Sequence, residues 1–153
     1  PETANAAVFR PDAYARIVSG STVYMAGNPD TPHSYSYTPD VARGLAVLGV
    51  HPAAVGRAWH LPVAAQLTTR ELADRFAAHA GTSVKVRRIP QWALRTLGLM
   101  VPVMSALAEM TYQWDAPYLM DDGDFRRTFA VGPTPLAEAI AQTLAPHITA
   151  RAA

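Results

Sequence analysis

Gly27-Asn28-Pro29-Asp30-Thr31-Pro32-His33-Ser34-Tyr35-Ser36-Tyr37-Thr38-Pro39-Asp40-Val41-Ala42 runs from a turn, through a short aromatic alternation, into the start of a helix. In Gly27-Asn28-Pro29-Asp30 the glycine accepts positive φ, the proline presets φ, and Asn and Asp bond back to the nearby main chain, so the chain turns there. His33, Tyr35 and Tyr37 then share one side of an extended segment, because side chains alternate along a strand. They are read together as cleft-lining residues, with His33 as a hydrogen-bond partner for a ligand. The competing reading is an edge strand with half-buried tyrosines. Asp40 is placed to accept from the orphan N–H groups of a helix over Val41–Leu48, which Gly49 ends.

Working outward, the same punctuation divides the rest of the chain. Pro11–Ser19 reads as a short helix ended by Gly20, and Val23–Ala26 as a brief strand entering the turn. Arg57–Leu61 reads as a strand ended by Pro62. Thr68 with Glu71 forms a capping box for a helix over Thr69–Ala80, whose Leu72, Ala73, Phe76, Ala77 and Ala80 make one apolar stripe. Val84–Ile89 reads as an edge strand stopped by Pro90. Gln91 to about Trp114 is helical and split near Gly98–Pro102, where proline cannot donate to the preceding turn. Asp121 and Asp124 cap a short helix through Phe129, and Thr134-Pro135 opens a last helix to about Leu144. The expected fold class is therefore α/β, an α+β-like and mostly helical arrangement with a few short strands.

Bulk chemistry excludes several functions. The 153 residues are one domain or a large part of one, and with 50% hydrophobic and 16% charged residues they carry ample material for a core. A formal net charge of +1 gives little electrostatic pull toward nucleic acid or anionic lipid, and Arg87-Arg88 and Arg126-Arg127, the only basic doublets, read as solvated surface. The absence of cysteine removes disulfides, thiolate nucleophiles and cysteine-ligated zinc, and fits a cytoplasmic location. The longest uncharged apolar run, Thr96–Ala108, is shorter than the roughly 20 residues that span a bilayer. The histidines are too scattered for a metal site, and no serine sits in a Gly-x-Ser-x-Gly elbow.

Three stretches together carry a family resemblance. The opening run, the Gly56-Arg57-Ala58-Trp59-His60-Leu61 and Leu67-Thr68-Thr69-Arg70-Glu71-Leu72 stretches, and the closing Phe129-Ala130-Val131-Gly132-Pro133-Thr134-Pro135-Leu136-Ala137-Glu138-Ala139-Ile140 are similar, in order and spacing, to segments of the extended short-chain dehydrogenase/reductase family. These are the NAD-dependent epimerases and dehydratases. The likeness spans roughly Ser19–Leu144. It implies that residues 1–150 are the C-terminal, substrate-binding region of an extended Rossmann-type reductase. That family's glycine-rich phosphate turn is absent here. So is its Tyr-x-x-x-Lys pair: the single lysine is Lys85, and Gly81 stands four residues before it.

The resemblance accordingly implies a division of labour. NAD or NADP would be bound by a missing N-terminal dinucleotide-binding half, which also sets the choice between them, and no cofactor is expected on this chain alone. The chain would contact a small-molecule substrate and be catalytically silent by itself. Its exposed partner face leaves homo-oligomerisation open. Asn5 and Phe9 would lie in the family's substrate-contacting loop. Tyr112, Gln113 and Trp114, after a helix carrying Met100, Met104 and Met110, read as an adaptable lid or as a packing surface, with Tyr112 and Trp114 as the substrate contacts. His60 stands where the family has Asn, as a cleft residue or a core histidine.

One departure bears on the substrate. Members that handle nucleotide sugars have an Arg where this chain has His33, and Thr111–Tyr118 offers no second cation. A diphosphate needs permanent positive partners, so the expected substrate is a smaller aldehyde, ketone or alcohol. The alternative is a non-catalytic binding or scaffolding domain with an apolar groove for a protein or lipid-like ligand.

Overall fold

Helix α1 (Ala13–Val18) buries Ala13, Tyr14, Ile17 and Val18 against the centre of the computed structural model, which describes residues 12–152. Strand β1 (Val23–Met25) follows with strict alternation, Val23 and Met25 buried and Tyr24 exposed. Its partner lies more than sixty residues on: β4 (Val86–Arg88) pairs with it in parallel, Val23 opposite Val86 and Met25 opposite Arg88. Between them in sequence come β2 (Pro32–Tyr35), α2 (Thr38–Val50), a 3-10 turn (Pro52–Ala54), β3 (Ala65–Thr68) and α3 (Thr69–His79). After β4 come α4 (Gln91–Gly98), α5 (Pro102–Met110), α6 (Tyr112–Asp115), α7 (Gly123–Phe129) and α8 (Leu136–Ala152).

One core unites α1, β1, α3, β4 and α8. Leu72, Ala73, Phe76 and Ala77 of α3 supply the expected apolar stripe, and Ile140 and Leu144 of α8 close it. The capping box at the head of α3 is complete, Thr68 Oγ1 accepting from Glu71 N and the Glu71 carboxylate from Thr68 N. Tyr14 lies between Phe76 and His147, with ring centroids 5.5 and 5.4 Å away. Burial pushes its phenol from 10.0 up to about 12.

That shift has a sign. Unfolded chains release the tyrosine proton near pH 10 while the folded state holds it to about pH 12. Stability is thus complete below pH 10 and falls as pH rises through that window, by up to about 2–3 kcal/mol. Burial also raises Tyr35, against the opposing hydrogen bond with Thr69, and adds to the same slope. Tyr14→Phe is expected to flatten, without abolishing, the loss of thermal midpoint between pH 10 and 12. An unchanged slope would show that Tyr14 ionises as freely folded as unfolded.

A second two-stranded sheet pairs β2 with β3 antiparallel, Pro32 opposite Thr68 and Tyr35 opposite Ala65. On its other side β2 meets a parallel bridge between His33 and Tyr118, with Ser34 N donating to Tyr118 O at 2.8 Å and Tyr118 N to Pro32 O at 3.1 Å. The strand expected over Arg57–Leu61 does not form; β3 begins at Ala65 instead. Residues 57–61 are anchored by side chains rather than by a ladder. The Arg57 guanidinium lies 4.0 Å over the Trp59 ring and pairs with Asp124, and Trp59 Nε1 donates to Ala54 O. Trp59 packs in turn on Phe129 and Phe125 of α7, at 4.8 and 6.5 Å.

Helix boundaries differ from expectation where tertiary contacts outweigh local signals. Helix α2 starts at Thr38, so Asp40 lies inside the first turn and Tyr37 occupies the N-cap. Gly49 is passed through, because one interior glycine costs only about 1 kcal/mol. The stop comes at His51, extended before Pro52 as residues preceding proline prefer. Helix α8 likewise continues past Leu144 and carries Pro146 within it. The expected split near Gly98 is present: α4 and α5 form a hairpin so close that a Cβ on Gly98 would lie 2.8 Å from Ser105 N. Asp121 accepts from Gly123 N at the head of α7, whereas Asp124 is drawn to Arg57 and Arg127. Among the described residues no helix is long and apolar enough to cross a membrane.

Candidate functional site

The turn that opens β2 is built as its residues dictate. Gly27 adopts φ +79°, and Asn28 Oδ1 accepts from Asp30 N at 3.0 Å. Arg70, in the first turn of α3, clamps this turn by donating to both Asp30 oxygens, which holds the Asp30 carboxyl below its ordinary range. Trp114 Cβ lies directly over the Gly27 backbone. The 111–118 segment is thereby laid along β2.

His33 is buried in that contact. Its Nδ1 lies 2.9 Å from Thr31 O and its Nε2 3.1 Å from Gln113 O, so each ring nitrogen faces a main-chain carbonyl, and a neutral ring can donate to one of the two. Tyr35 is half-buried, its hydroxyl 2.8 Å from Thr69 Oγ1. Tyr37 has left the strand to cap α2, and its hydroxyl donates to Gln142 on α8 at 2.7 Å. The structure thus brings His33 and Trp114 together, directs Tyr35 toward α3, and ties Tyr37 to α8. Tyr112 is exposed on α6. Asn5 and Phe9 lie outside the described residues. His60 is exposed, with Nδ1 2.9 Å from Asp121 O.

A feature that reading by motif does not reveal lies at the far side of the β2–β3 pair. Val63, Ala65, Gln66, Met120, Asp121, Asp122 and Arg126 line an open cleft of about 460 Å³. Three bonds frame it. Met120 N donates to Ser34 Oγ, Gln66 Nε2 donates to Met120 O, and Val63 N donates to Asp122 Oδ2. Asp122 is buried and pairs with Arg126 at 3.0 Å. The only sequence signal for it is the i, i+4 spacing of Asp122 and Arg126, which on its own describes an ordinary helix-surface pair.

Among the described residues no group of three or more histidine, aspartate or glutamate side chains could hold a metal ion. Compared with known proteins, the chain matches no family model and no curated protein.

Proposed function

We propose that this chain is the substrate-binding part of an NAD(P)-dependent oxidoreductase or epimerase acting on a small carbonyl or hydroxyl compound. Nucleotide capture and proton transfer reside in a separate dinucleotide-binding half. The observation that carries this reading is how the resembling segments join. Asp40 of the opening run accepts from Thr134 N and Thr134 Oγ1 of the closing run, both at 2.7 Å and across 94 residues. Tyr35 of the opening run meets Thr69 of the middle one. Pieces that are separately weak in sequence therefore form one bonded framework.

The chemistry is consistent with a supporting role. With Lys85 as the single lysine and no tyrosine four residues before it, the chain has no phenol–ammonium pair for proton transfer. His33, standing where a diphosphate-gripping Arg would be, has both ring nitrogens facing main-chain carbonyls rather than a ligand, which favours a substrate without a diphosphate. Trp92, Leu99 and Met100 are exposed around α4, a face suited to the other half. The same face favours the second reading, a non-catalytic domain that binds a protein or lipid-like partner.

The test uses the chain with and without its upstream coding sequence. The 153 residues alone are expected to leave NADH fluorescence without saturable quenching. An upstream segment carrying a glycine-rich turn and Tyr-x-x-x-Lys, expressed together with them, is expected to reduce a small aldehyde or ketone. Saturable quenching by the isolated chain, or an upstream frame without those motifs, would overturn the proposal.

A further inference from the structure

The cleft between β3 and the 120–126 segment has its own recognition chemistry, and we propose that it binds a small uncharged polyhydroxylated molecule of the polyol or simple-sugar class. This inference stands on the cleft alone, so it and the oxidoreductase reading can fail separately.

Its polar atoms are of two kinds. Asp122 is spent: one oxygen accepts from Val63 N, the other pairs with Arg126, and the side chain is buried. Three groups are not spent. Gln66 uses its amide nitrogen on Met120 O and keeps its Oε1. Asp121 uses one carboxylate oxygen on Gly123 N and keeps the other. Arg126 offers Asp122 one of its nitrogens, and its half-exposed guanidinium retains further N–H groups without a partner among the described residues. The cleft thus presents two acceptors beside a fork of donors, over a surface of Val63, Ala65 and Met120.

Charge decides which ligands match that set. Arg126 pairs with Asp122, and Arg127 Nη1 and Asp121 Oδ1 both reach the space beside Gly123, so positive and negative groups balance around the cleft and an ionised ligand gains no net attraction there. A bare cation would meet Arg126 and could use none of its N–H groups. A hydroxyl, which donates one hydrogen bond and accepts others, satisfies Gln66 Oε1 or Asp121 while accepting from Arg126. Adjacent hydroxyls do so two at a time, and their C–H faces can lie on Val63, Ala65 and Met120. A buried carboxylate that immobilises the guanidinium also removes part of the ordering cost of binding.

The experiment is a titration of the full 153-residue chain, followed by ¹H–¹⁵N spectra, with mannitol and D-glucose as probes and succinate and tetramethylammonium as charged contrasts. Saturable shifts are expected at the Gln66 side-chain amide, the Arg126 Nε–H and the main chain of 63–66 and 120–123. The charged probes should give none there. Asp121→Asn keeps an acceptor for Gly123 N and should leave the melting temperature in place while weakening sugar binding about 10-fold; Gln66→Leu also removes the bond to Met120 O, so its expected loss of sugar binding, again about 10-fold, is read beside its own melting temperature. Arg126→Leu is avoided because it strands buried Asp122. Shifts that are linear or scattered, succinate binding as tightly as the sugars, or full affinity in Gln66→Leu would each overturn the assignment.

Discussion

Asp40→Ala is expected to destabilise the fold by about 2–4 kcal/mol, the largest loss from any single polar side chain described above. The carboxylate has no exposure to solvent, and it joins the first turn of α2 to the loop that leads into α8. One oxygen accepts from Thr134 N; the other accepts from Thr134 Oγ1 and pairs with Arg43. Alanine leaves an amide, a hydroxyl and a guanidinium short of an acceptor and opens a cavity between them. Arg43 is half exposed, so water recovers its share, and the cost concentrates on the Thr134 amide. Asp40→Asn keeps one acceptor but turns an NH₂ toward a donor, and about half the loss is expected. Urea denaturation of the two variants measures this. A loss below ~1 kcal/mol for alanine would mean that the α2–Thr134 link is not formed in solution.

Gly27→Ala should cost about 3 kcal/mol and disturb the candidate site along with the stability. Two penalties combine. The residue sits at φ +79°, where an L side chain costs roughly 1–2 kcal/mol. The new methyl would also be driven into Trp114 Cβ and lie 3.4 Å from Thr111 O. Because the collision is with a Cβ rather than the far end of a flexible side chain, α6 itself must shift. That movement carries Gln113 away from His33, so changed tryptophan emission should accompany an altered His33 imidazole resonance. Gly56→Ala is the control: its φ is +84° but nothing lies within 4 Å of a new Cβ, so it should show the backbone penalty alone. Equal losses in the two variants would remove the Trp114 contact as the cause.

Where local chemistry settles an element, the sequence was a good guide. The Thr68–Glu71 capping box, the α3 stripe, the Asn28–Asp30 turn and the break between α4 and α5 all rest on residues within about four positions of one another. Asp40 was misread for the same reason. An acidic residue ahead of Val41-Ala42 is a sound N-cap signal, and nothing nearby announces a half-buried threonine amide 94 residues away. The Arg57–Leu61 strand failed because Trp59 gains more from α7 and Ala54 than from a ladder. Of the cleft residues, Asp121 was read as a cap and Arg126 as half of a solvated doublet.

From its residues alone, then, the position of most of this chain's helices, the turn that opens β2 and the chemistry it lacks were already determined. Cysteine is missing, lysine occurs once, and no phosphate-binding turn is present. Tertiary structure alone decided that β1 and β4 lie side by side in parallel, that Asp40 belongs to Thr134, that each His33 nitrogen faces a main-chain carbonyl, and that Asp122 and Arg126 wall a cleft. The division is physical. Propensity and capping act through neighbours in sequence, whereas the partner of a buried polar group is chosen by whichever distant donor or acceptor folding brings within about 3 Å.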